Sequence, residues 1–115
     1  MESVPDVDID QTGRFKYILL QVKDKKSGAE KLIVRGYGHC AFHGDIFDEV
    51  EPAIVKSGSK LNCLGGGRIV HKPEEKKLEV FGYSQGYGQA DHKKTVEILK
   101  IKYPDYDVII TDEAY

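Results

Sequence analysis

Asn62-Cys63-Leu64-Gly65-Gly66-Gly67-Arg68-Ile69-Val70 is followed by His71-Lys72-Pro73-Glu74-Glu75-Lys76-Lys77. Then comes Leu78-Glu79-Val80-Phe81-Gly82-Tyr83-Ser84-Gln85-Gly86-Tyr87-Gly88. Two apolar segments joined by a charged, proline-containing turn read as a β-hairpin. A glycine cluster at each end of that hairpin lets another backbone or a ligand come close. Arg68 beside one cluster and Ser84 within the other supply donors for an anion. A site assembled on this hairpin is the expectation.

Outward from the hairpin, Pro5-Asp6-Val7-Asp8-Ile9-Asp10 alternates acid and aliphatic, the period of a short edge strand with carboxylates in water. Its three aspartates also resemble the start of a calcium loop. Gln11 stands where the turn glycine belongs and Tyr17 where the bidentate glutamate belongs, so that reading fails. In Phe15–Val22, Lys16, Ile18, Leu20 and Val22 share one face and Phe15, Tyr17 and Leu19 the other. Both faces are mostly apolar, which predicts a central strand covered on both sides. Lys16 is the odd member of its row, at an open end or aimed at an anion. A polar loop over 23–30 leads to a strand over Lys31–Gly36.

Asp45 caps a helix beginning just after His43 and Gly44, with Ile46, Phe47, Val50, Ala53 and Ile54 on one face. Pro52 lies inside it and is expected to kink or split it. Asp91 caps a second helix, which Pro104 stops. Val96, Leu99 and Tyr103 form one stripe there, but Ile98 and Ile101 fall elsewhere, so its buried face is ambiguous. Tyr106–Thr111 is the last strand. The order is β-β-β-α-β-β-α-β: an α/β chain of the α+β kind, with one mixed sheet packed by two α-helices.

At 115 residues the chain reads as a single domain over 1–115, long enough to bury a core without disulfides or metal. A net charge of −2 opposes a general nucleic-acid binder. No apolar run approaches the roughly 20 residues of a membrane span. Met1–Asp6 is acidic with no apolar core, so no signal peptide is expected. Cys40 and Cys63 read as free thiols of a reducing cytosol, although sequence alone does not exclude a disulfide.

Several familiar patterns fail. Gly36-Tyr37-Gly38-His39-Cys40-Ala41 has dinucleotide-fingerprint spacing, but no acidic residue closes the next strand and the chain is too short for two mononucleotide halves. Four residues separate Cys63 from Arg68, one fewer than a cysteine-phosphatase loop needs, and a strand follows instead of a helix. Gly-Lys followed by Ser or Thr, opening a helix, is absent. His39, Cys40 and His43 begin a zinc set, but no second close pair follows, and Cys63 or His71 would have to arrive by folding. No metal is expected. His43 stands at the edge of a helix N-terminus. Open amides there favour an anion, and the positive end disfavours imidazolium. A neutral imidazole so placed serves as base or nucleophile toward phosphorus.

Phe15-Lys16-Tyr17, Val34-Arg35-Gly36-Tyr37, His43-Gly44-Asp45-Ile46-Phe47-Asp48, Cys63-Leu64-Gly65-Gly66-Gly67-Arg68-Ile69, Gly82-Tyr83-Ser84, Tyr87-Gly88 and Lys102-Tyr103-Pro104-Asp105-Tyr106 together resemble the protein phosphohistidine phosphatases of the janus family. The likeness runs from Pro5 to Tyr115, in order. It implies a six-stranded mixed sheet with two helices. It also implies metal-independent, cofactor-free hydrolysis of phosphohistidine, and of some phospholysine, in proteins, by a cytoplasmic monomer. Carried onto this chain, the catalytic histidine is His43, the substrate lysine Lys16 and the phosphate-contacting arginine Arg68. Gly44 and the Ser84-Gln85-Gly86 loop supply amides and a hydroxyl, and Arg35 supports the site. His92 matches a further family histidine to which the resemblance assigns no role. Phe42 departs from the tyrosine usual before the catalytic histidine, Gly44 from alanine, and Gln85 and Gly86 from Met and Ala. The departures bear on peptide preference and leave the amide donors intact. Two alternatives stand beside the enzyme: a non-catalytic phosphohistidine-peptide binding module, which would usually have lost His43, and a small nucleic-acid binder, which the acidic balance opposes. Neither nucleic acid nor membrane is an expected partner.

Overall fold

The computed structural model describes residues 3–112. The expected element order is present: β1 (Val7–Ile9), β2 (Gly13–Asp24), β3 (Glu30–Gly36), α1 (His43–Lys56), β4 (Ser59–Lys72), β5 (Lys77–Phe81), α2 (His92–Lys102) and β6 (Asp107–Ile110). The six strands form one mixed sheet in the order β1-β3-β2-β4-β5-β6, parallel at its two outer pairs and antiparallel within. β2 lies between β3 and β4, as its two apolar faces require. Ile18, Leu20 and Val22 pack under Ile46, Val50 and Ile54 of α1. Phe15, Tyr17 and Leu19 pack on the opposite face with Val34, Ile69, Leu78, Val80 and Leu99 of α2. Each helix therefore seals one side of the sheet.

The short edge strand β1 is held along β3. Lys31 Nζ reaches the Val4 carbonyl and, at 2.9 Å, Asp6. Arg35 donates 2.8 Å to the Pro5 carbonyl. Both cysteines are free thiols. Among the described residues, no helix is long and apolar enough to cross a membrane.

Three local expectations need correction. Helix α1 starts at His43, not after Asp45, and Phe42 occupies the cap position. Asp45 is the third helical residue, and its carboxylate reaches back 3.0 Å to the Phe42 N–H. That is the reciprocal half of a capping box; Phe42 has no side-chain acceptor to supply the other half. Pro52 does not split the helix, which continues to Lys56. The proline is on the exposed side, where water takes the carbonyl it leaves without a donor. The first glycine cluster is not at the end of a strand but inside β4, which runs unbroken from Ser59 to Lys72 and shifts register opposite Leu19 and Leu20. The hairpin turn tightens into a 3-10 turn over Pro73–Glu75, followed by Lys76 at φ 50°.

The buried face of α2 explains its weak pattern. His92 and Thr95 are buried alongside Leu99, so two of the three buried residues of the helix are polar. Asp91 caps this helix as expected, accepting 3.1 Å from the Lys93 N–H.

Candidate active site

Three glycines of β4 let three other parts of the chain touch the strand. A Cβ on Gly65 would stand 2.7 Å from the backbone of Ala90. One on Gly66 would stand 2.7 Å from His43 Cδ2 and 3.1 Å from Ser84 Cβ. One on Gly67 would stand 2.4 Å from the Phe81 carbonyl and 2.8 Å from His92 Cε1. Contacts under 3 Å leave no room for a methyl group, so only glycine allows this packing. The segment after β5 docks on the bare strand: the Gly66 N–H donates 3.0 Å to the Gly88 carbonyl, and the Ala90 N–H donates 3.0 Å to the Gly66 carbonyl.

That docking closes the loop from Ser84 to Gly88. Ser84 and Gly88 exchange backbone bonds of 3.1 and 2.8 Å. The Tyr87 N–H donates 3.2 Å to Ser84 Oγ, leaving the hydroxyl hydrogen for another acceptor. Among the described residues, no backbone acceptor takes the N–H groups of Gln85 and Gly86. Gly44, in the first turn of α1, adds an amide with no intrahelical acceptor.

Beneath the loop lies a buried polar chain. The His92 Nε2–H donates 2.8 Å to the Gly82 carbonyl, which fixes Nδ1 as the acceptor for the Tyr17 hydroxyl at 2.6 Å. Thr95 Oγ1 stands 3.0 Å from the same hydroxyl. Burial pushes the Tyr17 phenol far above its ordinary value, so it remains a donor. His92 is thus a strut between α2 and the residue that opens the serine loop.

His43 is buried, at 6% exposure, at the first position of α1. Its Nε2 lies 2.9 Å from the Gly67 carbonyl. A carbonyl only accepts, so Nε2 carries the proton and Nδ1 the lone pair. The Nε2–Cδ2 edge faces β4, which turns Nδ1 away from the strand. Burial lowers the imidazole's pKa. The Gly67 carbonyl pulls the other way, and the charges of Lys16 and Arg68 push it down again. Neutral imidazole is the resting form.

Lys16 and Arg68 are directly opposite each other on β2 and β4. Like charges facing across a strand pair are unfavourable unless something negative lies between or above them. Lys16 makes no ion pair among the described residues. The cleft has a volume of about 380 Å³, and Lys16, Phe42, His43, Gly44, Ser84, Gln85, Gly86 and Tyr87 line it.

The structure therefore brings Lys16, His43, Gly44, Ser84, Gln85 and Gly86 into one cleft, with Arg68 electrostatically coupled to His43. Arg35 is elsewhere. It is buried, bonded to the Val34 and Pro5 carbonyls, and borders a different depression with Asp8, Tyr37 and Glu49. It anchors the N-terminal segment, a departure from the support expected of it. His71 is committed to the Asp10 carbonyl at 2.8 Å and to the Tyr106 hydroxyl at 3.2 Å. Burial raises the Cys63 thiol, the wrong direction for a nucleophile. Sequence reasoning missed the Gly67 carbonyl that orients His43, and Tyr87 as a wall of the cleft. The close sequence of three glycines was the available signal for the first. The signal for the second was Tyr87-Gly88 among the family-like motifs, to which no role in the site was assigned.

Fold and cleft together define a class: a small α+β protein that holds a neutral histidine beside two cations and a loop of open amides, an arrangement suited to a phosphoryl group. The family model for the Janus/Ocnus family matches residues 1–107. The chain is 50% identical over 115 residues to the sex-regulated protein janus-A of Drosophila yakuba, covering 100% of this chain and 84% of that one. It is 45% identical to the 14 kDa phosphohistidine phosphatase of Sus scrofa over 120 aligned positions, covering 100% of this chain and 95% of that one. The chain belongs to the Janus/Ocnus family.

Proposed function

We propose that this protein is a phosphohistidine phosphatase that hydrolyses the P–N bond of phosphohistidine, and of phospholysine, in proteins. The observation that carries the reading is the His43 ring held by its Nε2 on the Gly67 carbonyl in a cleft that also contains Lys16, where burial and nearby charge favour the neutral form. The kinship with a phosphohistidine phosphatase supports it. Phosphoryl transfer spreads charge over three equatorial oxygens, so the protein's task is to hold them and neutralise them. Lys16, Arg68, the Ser84 hydroxyl and the amides of Gly44, Gln85 and Gly86 do this. His43 Nδ1 either takes the phosphoryl group, which water then removes as phosphate, or takes a proton from the attacking water. Both need the lone pair on that nitrogen, and in both the P–N bond breaks as the leaving nitrogen takes a proton from solvent. Acid-sensitive label on His43 in a rapid-quench single turnover identifies the first route, and its absence the second.

Charge neutralisation comes from side chains and amides of this chain, so hydrolysis is metal-independent. Every group proposed to touch the phosphoryl oxygens belongs to one copy, so a monomer is the active unit. The test is phosphate release from phosphohistidine, phospholysine and phosphotyrosine peptides with chelator present. Release from the first two and none from phosphotyrosine is expected. Peptide that is bound without phosphate release would make the protein a binding module and overturn the enzymatic reading.

A further inference from the structure

Outside the cleft, a second group of chemically active side chains converges where the segment before α1 meets that helix. His39 Nε2, Cys40 Sγ and a carboxylate oxygen of Glu49 all lie within 4.8 Å of one another. None of the three lines the His43 cleft. His43, which the sequence grouped with His39 and Cys40, is turned to Gly67 instead, and Glu49 arrives from the second turn of α1. We propose that His39, Cys40 and Glu49 form a binding site for a zinc-class divalent cation, with the fourth coordination position open to solvent.

The geometry needs little adjustment. His39 Nε2 is 2.7 Å from Glu49 Oε1, and Cys40 Sγ is 3.9 Å from the same oxygen. Tetrahedral zinc at ordinary bond lengths holds such atoms about 3.4–3.6 Å apart. The first pair must open by under about 1 Å and the second close by less, while the third, His39 Nε2 and Cys40 Sγ, lies within 4.8 Å and closes by at most about 1.3 Å. Side chains of His39 and Glu49 are 62% and 47% exposed, so both have room to move. The His39 ring is already oriented by stacking on Tyr37, with centroids 5.4 Å apart and planes at 13°. Cys40 is fixed by its N–H on the Tyr37 carbonyl at 3.2 Å.

The donor set selects the metal. Sulfur, imidazole and a carboxylate suit zinc, whereas calcium and magnesium prefer six or more oxygens. Thiolate and carboxylate together neutralise a dication, and the Cys40 proton leaves to solvent as the metal–sulfur bond forms. Asp10 and Asp45 add negative charge at Cys40, and Asp10, held by the Gly38 N–H at 2.7 Å, also acts on His39. A bound ion would tie the 37–42 segment to α1, just before the residue that carries the proposed chemistry. The site stands apart from the proposed phosphatase reaction, and either can fail without the other.

The test uses cobalt(II) as a spectroscopic stand-in, added to metal-free protein. One equivalent should give a thiolate-to-cobalt charge-transfer band and the visible bands of four-coordinate cobalt, and zinc should displace it. Cys40→Ser should abolish the charge-transfer band, Cys63→Ser should keep it, and Glu49→Gln should weaken binding about tenfold or more. No charge-transfer band in the unaltered protein, or a band lost with Cys63→Ser and kept with Cys40→Ser, overturns the proposal. If circular dichroism shows Cys40→Ser to be unfolded, the exposed Glu49→Gln decides, and unchanged affinity there overturns it.

Discussion

Which nitrogen of an imidazole keeps its proton determines what the ring can do. For His43 the Gly67 carbonyl holds the proton on Nε2 and leaves Nδ1 basic. Desolvation, Lys16 and Arg68 together move its pKa below the ordinary 6.5. The neutral form is the active one, so kcat/KM should fall as the pH drops through that lowered pKa. Lys16→Gln removes one of the depressing charges, so the acid limb should move to higher pH. Comparing the two profiles on the same phosphohistidine peptide cancels the substrate's own titration, and a limb that does not move would show that Lys16 lies too far from His43. At Gly66, a methyl group would strike His43 Cδ2 at 2.7 Å and the Tyr17 carbonyl at 2.9 Å. Gly66→Ala should lower stability by about 1–3 kcal/mol, read by denaturant unfolding, and slow turnover by displacing the imidazole. Lys16 was visible in the sequence as one charge in an apolar row. Arg68 was visible beside its glycines. The orientation of His43 was not, because it depends on a carbonyl 24 residues away in the chain.

At the scale of elements, β4 is the scaffold. Its glycines accept α1's first residue, the serine loop and α2's histidine against one strand. The strand pattern was readable because period-two alternation and apolar runs survive in β2 through β5. The cap of α1 was misplaced by three residues because Asp45 bonds backward to Phe42, and a backward-reaching acid in the first turn looks like a cap in sequence. The face of α2 was unreadable because its buried stripe contains His92 and Thr95. Two predictions belong here. Pro52→Ala should stabilise the protein by about 1–3 kcal/mol, since the continuous helix gains a backbone donor, and a rise in Tm checks it. Gly44→Ala should be tolerated, because its Cβ would meet only the Tyr87 hydroxyl at an ordinary 4.0 Å. A gain of about 0.5–1 kcal/mol from the helix preference of alanine is expected, with phosphate release retained.

In the molecule as a whole, two cores on the two faces of one sheet hold the cleft at the end of β2 where Lys16 breaks the apolar row. The sheet's composition follows from its apolar rows. The joining of N-terminal segment, β3 and Arg35 into a separate anchor does not, since it rests on carbonyls of Val34 and Pro5 that no side-chain pattern encodes. Two of the remaining histidines, His71 and His92, are tied to backbone carbonyls and tyrosines, and His39 to Glu49. His43 alone lines the cleft. The most direct test is therefore steady-state phosphate release from a phosphohistidine peptide by the protein and by His43→Ala, with equal Tm confirming that both are folded. A loss of about 10²–10⁴-fold or more in kcat is the result this site requires. Turnover near that of the unaltered protein would contradict it.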